Sequence, residues 1–305
     1  MVLSAFQLAA IIFGSVVGLL AMGFRLTHET SGYMNLGHTV NLGVGMMLGF
    51  IVIQCLGIPP IMGAPFAFII TGAFNAIIYL VFFRRMETRN YSETLIALFG
   101  LVLMYLSWGV LTIATYLVCY WFPSEYWCAG AQGLILNHLH YYGAPRYEAI
   151  GAFLVIMLAA YFFNRTDTSL RFKALAENSN LLEICGINSE RVRALAWFIS
   201  GGLAGVAGVI IPYVFKGEFA RDVQLLFVPM VVASILGEKR EPWIAGLVGM
   251  FIGFDHLILL TWGQQYIGIW VGEYWSAVPQ IFLVIVLSMK DRKLQIPNWV
   301  NPRRQ

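Results

Sequence analysis

Residues Thr30–Phe83 read TSGYMNLGHTVNLGVGMMLGFIVIQCLGIPPIMGAPFAFIITGAFNAIIYLVFF. These 54 residues include no Asp, Glu, Lys or Arg. A helix needs about 20 apolar residues to cross the hydrocarbon of a bilayer. The stretch is therefore long enough for two crossings, broken near Gly57-Ile58-Pro59-Pro60. Runs of Leu, Ile and Ala punctuated by Gly suit helices that pack in lipid, and the period-two alternation of a membrane barrel is not seen.

Working outward, Met1–Phe24, Thr94–Ser124 and Ala194–Phe215 also lack all four ionised residue types. Of the 305 residues, 59% are hydrophobic and 11% charged, against about 25% charged in soluble domains. Mean hydropathy is +0.74. A soluble fold of this size could not hide so much apolar surface. This excludes a soluble enzyme, a disordered chain and a nucleic-acid-binding protein. The net charge of +3 is too small to imply an acidic partner. The first apolar run is too long for a secretory signal and has no cationic segment before it, so it reads as a retained span.

The prediction is an all-α, polytopic helical membrane protein, one transmembrane domain over residues 1–305 with eight or nine spans. The spans are Ala5–Phe24, Asn35–Leu56, Pro60–Phe83, Ser92–Tyr120, Tyr147–Phe163, Ala194–Val214, Leu225–Leu236, Pro242–Trp262 and Trp275–Met289. Leu225–Leu236 is short and reads either as a half-helix or as part of a kinked one. Placing the loop Arg84–Tyr91 in the cytoplasm puts 16 Lys and Arg inside against 3 outside, which sets the N-terminus outside and the C-terminus inside. The outer loop Trp121–Arg146 is rich in Trp and Tyr, as an interfacial belt or an external docking surface would be. Cys119 and Cys128 flank it, either paired or as free small residues near lipid.

The most informative charged segment is Asn164–Trp197. Asp167 or Thr168 can cap a helix that stops at Gly186, and Asn188 or Ser189 caps the next one, which enters the membrane at Ala194. A partly amphipathic helix of about residues 168–186 therefore lies between two spans. It either rests on the membrane surface or docks in a partner's groove.

Four blocks carry a family resemblance: Arg171-Phe-Lys-Ala174, Ala176-Glu-Asn178, Gly186-Ile-Asn-Ser-Glu-Arg191-Val192 and the Gly/Ala-rich Ser200–Gly208. Gly32-Tyr-Met-Asn35-Leu-Gly-His38-Thr39 adds an early one. Together they resemble the permease subunit of the branched-chain amino acid type of ABC importer, over most of the chain. The turn Gly237–Pro242 and Thr39 depart from the family pattern.

The resemblance implies a second permease of a different sequence, two cytoplasmic ATPases, an external binding protein and an inner (plasma) membrane location. It implies small polar solutes as cargo, above all branched-chain or other amino acids, with urea, amides or sugars as alternatives. It also implies that Leu170–Cys185 is the coupling helix. Leu170, Arg171, Lys173, Glu177 and Glu183 would then belong to the surface that meets an ATPase groove, with Leu175 or Leu182 as apolar anchors.

One part of this can be checked independently. None of the five lysines precedes Ser or Thr, so the chain has no P-loop of the Gly-x-x-x-x-Gly-Lys-Ser/Thr type. No enzyme activity or cofactor is expected of this chain, and ATP and Mg belong on the partners. No metal is expected either: His38 has no second ligand three or four residues on, and His138 and His140 form a loop pair.

For the path, Asn35, His38, Thr39 and Asn41 cluster after Gly32 and Tyr33, and polar groups beside broken helices often mark transport sites. A buried kink whose side chains satisfy free backbone groups is the alternative. Asp255 is the acid placed deepest in a span, about 20 Å from Pro242 along a helix. It would pair with a buried polar group or touch cargo. The glycine pairs Gly201/Gly205, Gly45/Gly49 and Gly249/Gly253 have the spacing for close helix packing. A stand-alone secondary transporter or channel would call for more buried acids, and an intramembrane enzyme would call for a catalytic pair.

Overall fold

The structure, a computed structural model, describes residues 5–56, 60–121, 128–130, 133–135, 145–211, 219–237, 241–274 and 277–294. In chain order the helices are α1 (Ala5–Ser31), α2 (Thr39–Leu56), α3 (Pro60–Ile78), α4 (Arg84–Thr88), α5 (Glu93–Trp121), α6 (Pro145–Arg165), α7 (Asp167–Glu177), α8 (Ser179–Ile184), α9 (Ser189–Ile210), α10 (Phe219–Leu236), α11 (Pro242–Tyr266) and α12 (Ala277–Leu294). Strands β1 (Cys128–Gly130) and β2 (Gly133–Ile135) pair antiparallel inside the loop after α5. That hairpin is the one departure from an all-α reading among the described residues.

Within the described residues, each of the nine expected spans falls on a helix. Among the described residues four stretches, Phe6–Ser31, Met62–Thr88, Ser189–Ile210 and Pro242–Tyr266, are by themselves long and apolar enough to cross a membrane. The boundaries differ for local reasons. Helix α1 continues past Phe24 until Gly32, whose φ of +82° ends it. Helix α2 starts at Thr39 rather than Asn35, because 33–35 are irregular and 36–38 form a turn. Helix α3 passes through one π turn, Tyr79–Phe83, into α4 without a break. Helix α10 begins at Phe219, six residues before the expected start, and contains Pro229.

Helix α1 is the central post. Phe13, Val16, Leu19, Leu20 and Met22 are fully buried, as expected of a helix that is apolar on every side. Helices α11, α9, α6 and α10 pack around it. Small residues set the distances. A Cβ on Gly249 or Gly253 would lie 2.9 and 2.8 Å from the Cα atoms of Gly18 and Gly14, so α1 and α11 touch backbone to backbone. A Cβ on Gly45 would lie 2.7 Å from the Cα of Gly205, which joins α2 to α9 in the same way. The side-chain environment of Gly49 lies outside the described residues.

The outer faces are apolar. Phe66 and Ile69 on α3, Leu106 and Val110 on α5 and Leu158 on α6 are between 58% and 69% exposed. In water such faces would drive association, whereas in hydrocarbon they meet their own kind.

Candidate functional site

At one end of the bundle α6 gives way to α7 through a 65° bend. Thr166 makes the bend. Its hydroxyl donates to the Phe162 carbonyl at 2.8 Å and accepts from the Ser169 amide at 3.3 Å, capping α7. The cap is thus Thr166 rather than Asp167 or Thr168. The expected single helix is corrected to two, because Asn178 adopts extended φ/ψ and its side chain accepts from the Asn180 and Leu181 amides, starting α8. Gly186, with φ +80°, follows α8, and Asn188 caps α9 by accepting from the Arg191 amide at 2.9 Å.

This bracket has two faces. Phe172, Leu175 and Leu182 are buried in the chain's own core. The expectation that Leu175 or Leu182 points outward as an apolar anchor is therefore corrected. The outward apolar side chains are Leu170 (60% exposed), Leu181 (58%) and Ile184 (81%). Arg171, Glu177, Glu183 and Cys185 are also exposed. Glu183 accepts a hydrogen bond from the Ser189 hydroxyl, which staples α8 to the start of α9. Lys173 is pinned from the other side by Glu241, at 2.7 Å, just before α11.

The polar cluster after α1 divides in two. Asn35 and Asn41 are buried and line a small cavity of about 10 Å³, room for one water, with Asn75, Ser107, Phe83 and Trp197. Asn41 donates to the Asn75 side-chain carbonyl at 3.1 Å, and Asn75 donates to the Trp197 carbonyl at 2.7 Å. Asn75 thus joins α2, α3 and α9. His38 lies elsewhere, in the α1–α9 seam, 3.3 Å from the Ser200 hydroxyl, which itself donates to the Gly23 carbonyl. Thr39 is fully buried beside it in the chain. Asp255 sits half-buried on α11, which packs on α1, α10 and α6, so the fold does not bring it to the Asn35–Asn41 group. Its neighbour His256 turns the other way, edge-on to Phe13 of α1.

Sequence reading missed a third cluster. Glu87 of α4 accepts from the Tyr33 hydroxyl at 2.8 Å, the Tyr79 hydroxyl at 3.1 Å and the Arg193 guanidinium at 2.9 Å. Arg193 also donates to the Thr30 carbonyl at 3.1 Å. Beneath it, the Trp197 ring packs against Phe83 (centroids 4.7 Å apart), Tyr79 (5.1 Å) and Tyr33 (6.4 Å), while its N–H donates to the Ser31 hydroxyl at 2.9 Å. Tyr79, Phe83 and Glu87 are spaced four apart and share one face. The available signal was that Glu87 is the one acid among three arginines in Arg84–Tyr91. Tyr33, expected in the path, is a member of this cluster.

The architecture defines the class: this is a multi-pass helical membrane protein with a polar seam between α2, α3 and α9. The family follows from comparison. Residues 7–287 match the family described as "Branched-chain amino acid transport system / permease component", and the chain belongs to it. It is a transport subunit. It is similar to a probable branched-chain amino acid transport permease protein LivH of Methanocaldococcus jannaschii, at 23% identity over 97% of this chain and 93% of the relative. It is similar to the high-affinity branched-chain amino acid transport system permease protein BraD of Pseudomonas aeruginosa, at 26% over 65% of this chain and 67% of the relative. A nucleoside ABC transporter permease protein, NupC of Lactococcus lactis, is 27% identical over 45% of this chain and 44% of its own. No solved structure matches the chain.

Proposed function

We propose that this chain is one of two permeases in an ATP-driven importer of the inner membrane that takes up branched-chain or other amino acids. The α7–α8 end faces the cytoplasm, as the distribution of Lys and Arg requires. The second permease is a different chain. Two cytoplasmic ATPases carry ATP and Mg, and an external protein delivers cargo. This chain binds no cofactor of its own.

One observation carries the reading. The α7–α8 bracket is pinned inward by Phe172, Leu175 and Leu182, yet presents Leu170, Leu181 and Ile184 outward beside Arg171, Glu177 and Glu183. Apolar knobs ringed by both signs of charge are what a partner groove takes from a helix. A helix lying on lipid would carry mainly basic residues at the rim. Rigid support beneath those knobs lets them pass a push into α9 rather than absorb it. Cargo would pass by Asn35, Asn41 and Asn75 once their seam opens. The cavity of about 10 Å³ is too small for an amino acid, as that of a shut path would be. His38 braces the α1–α9 seam behind it, Thr39 follows it at the start of α2, and Asp255 serves the α11 side.

Co-purification of the chain with the products of neighbouring genes tests this, followed by ATP hydrolysis with and without Arg171→Glu. Arg171 is the better probe because Lys173 already holds Glu241. The expected result is a bound ATPase that the charge reversal releases or uncouples. A chain that carries solute alone would overturn the reading. Uptake of labelled leucine against a nucleoside, urea and a sugar then separates the cargo classes, because the similar proteins include both amino acid and nucleoside permeases.

A further inference from the structure

Between the bracket and the polar cavity runs one continuous chain of contacts, and Glu87 is its joint. Glu183 of α8 accepts from Ser189, the first residue of α9. Along α9, Glu190, Arg193 and Trp197 fall three and four residues apart, on one face. Glu190 pairs with Arg84 at 2.7 Å, both half-exposed. Arg193 pairs with Glu87 at 2.9 Å, with both side chains at or below 20% exposed. Trp197 and Phe83 form the wall of the cavity on that side.

The Glu87 carboxylate therefore gathers three segments on one group: the turn after α1 through Tyr33, the π turn of α3 through Tyr79, and α9 through Arg193. The π turn supports the same assignment. Such bulges re-aim side chains and recur where a helix must change state. Here the bulge holds both aromatic residues that face Trp197 from α3, Tyr79 and Phe83.

We propose that Glu87 is a positioning residue that holds the aromatic wall of Tyr33, Tyr79, Phe83 and Trp197 shut over the Asn35–Asn41–Asn75 seam. In this arrangement movement of α7–α8 opens the path by drawing Arg193 away from Glu87. The proposal deepens the importer reading and rests on it. The geometry fits a releasable contact better than a permanent strut. The pair is partly hydrated, and its phenol and guanidinium donors can be taken up by water as it separates. The Gly45–Gly205 contact deeper in the bundle is backbone to backbone and cannot be exchanged in that way.

The test uses the purified complex in lipid vesicles with Glu87→Gln, Glu87→Asp and Arg193→Lys. Uptake of labelled leucine and ATP hydrolysis are measured together. Glu87→Gln is expected to lower uptake about tenfold while hydrolysis stays within about twofold, a shift in the shut-to-open balance rather than in assembly. Glu87→Asp and Arg193→Lys should each give an intermediate ratio. A thiol introduced at the cavity wall by Ser107→Cys should react with a thiol reagent about tenfold faster in the Glu87→Gln background without nucleotide.

Equal loss of uptake and hydrolysis, or an unchanged ratio with unchanged reactivity of the introduced thiol, would overturn the proposal. Should Glu87→Gln fail to assemble, Tyr33→Phe with Tyr79→Phe leaves the ion pair in place. That pair of changes must still lower the uptake-to-hydrolysis ratio, and no change in it counts against Glu87. A wild-type chain that binds no ATPase would instead sink the importer reading, while the reactivity of the introduced thiol would still report on the joint.

Discussion

Lys173 Nζ lies 2.7 Å from Glu241 Oε1, so a residue of α7 is tied to the turn that starts α11. The hydrogen bond from Lys173 holds the Glu241 carboxyl below its ordinary 4.5, aided by the Trp243 indole N–H at 2.6 Å and opposed by partial burial. A lowered carboxyl pKa gives stability that is full above the ordinary value and is lost as pH falls through the lowered one. Both side chains are about a third exposed, so the contribution is no more than about 1 kcal/mol. The unfolding temperature of detergent-solubilised protein should be flat, as far as this pair is concerned, from neutral pH to about pH 5. Glu241→Gln should remove part of the decline seen at more acid pH. A wild-type and variant profile of identical shape would refute the link.

Leu175 and Ile184 are both apolar and only nine residues apart, but they should respond oppositely. Leu175 is buried in the bundle core and Ile184 is 81% exposed. Leu175→Ala should cost the protein about 2–4 kcal/mol, read as a fall in unfolding temperature. Ile184→Ala should change stability by less than about 0.5 kcal/mol, yet weaken retention of the ATPase on an affinity column.

Gly205 has no space for a methyl group: its Cβ would lie 2.7 Å from the Thr71 Cβ and 2.8 Å from the Ala67 carbonyl oxygen. Gly205→Ala should cost about 1–3 kcal/mol through overpacking. Gly109 on α5 has nothing within 4 Å of such a methyl. Gly109→Ala should be neutral or stabilising by up to about 1 kcal/mol, since Ala favours helix. Thermal unfolding of the two variants side by side decides the matter.

Asn75→Leu removes the acceptor for Asn41 and the donor to the Trp197 carbonyl, leaving buried polar groups without those partners. A loss of about 2 kcal/mol is expected, together with loss of leucine uptake in reconstituted vesicles. Uptake at the wild-type rate would remove the α2–α3–α9 seam from the path.

The boundaries of legibility follow from the kinds of signal involved. Charge-free runs of more than 20 residues announce spans because no partner is needed to read them. Caps are similarly local, so Asn188 and Gly186 are legible in the sequence. The break at Asn178 is not, because Asn is tolerated inside many helices, and only its side-chain bonds to Asn180 and Leu181 reveal a new start. Leu175 and Leu182 turn to the opposite face from the one expected. Once α7 and α8 separate, a single helical period no longer relates the two halves.

By itself the sequence determined a polytopic helical membrane chain, its approximate spans, its family and the existence of a bracket between α6 and α9. These rest on composition, local capping and motif, which are properties of neighbouring residues. Tertiary structure alone decided that Glu87 meets Arg193, 106 positions away, that Asn41 and Asn75 share a cavity while His38 does not, and that Asp255 stands apart on α11. Such pairings depend on which face each helix turns toward α1 and α9. The close glycine contacts set that rotation, and no span records it in its own hydrophobic pattern, because helices in lipid are apolar on every side.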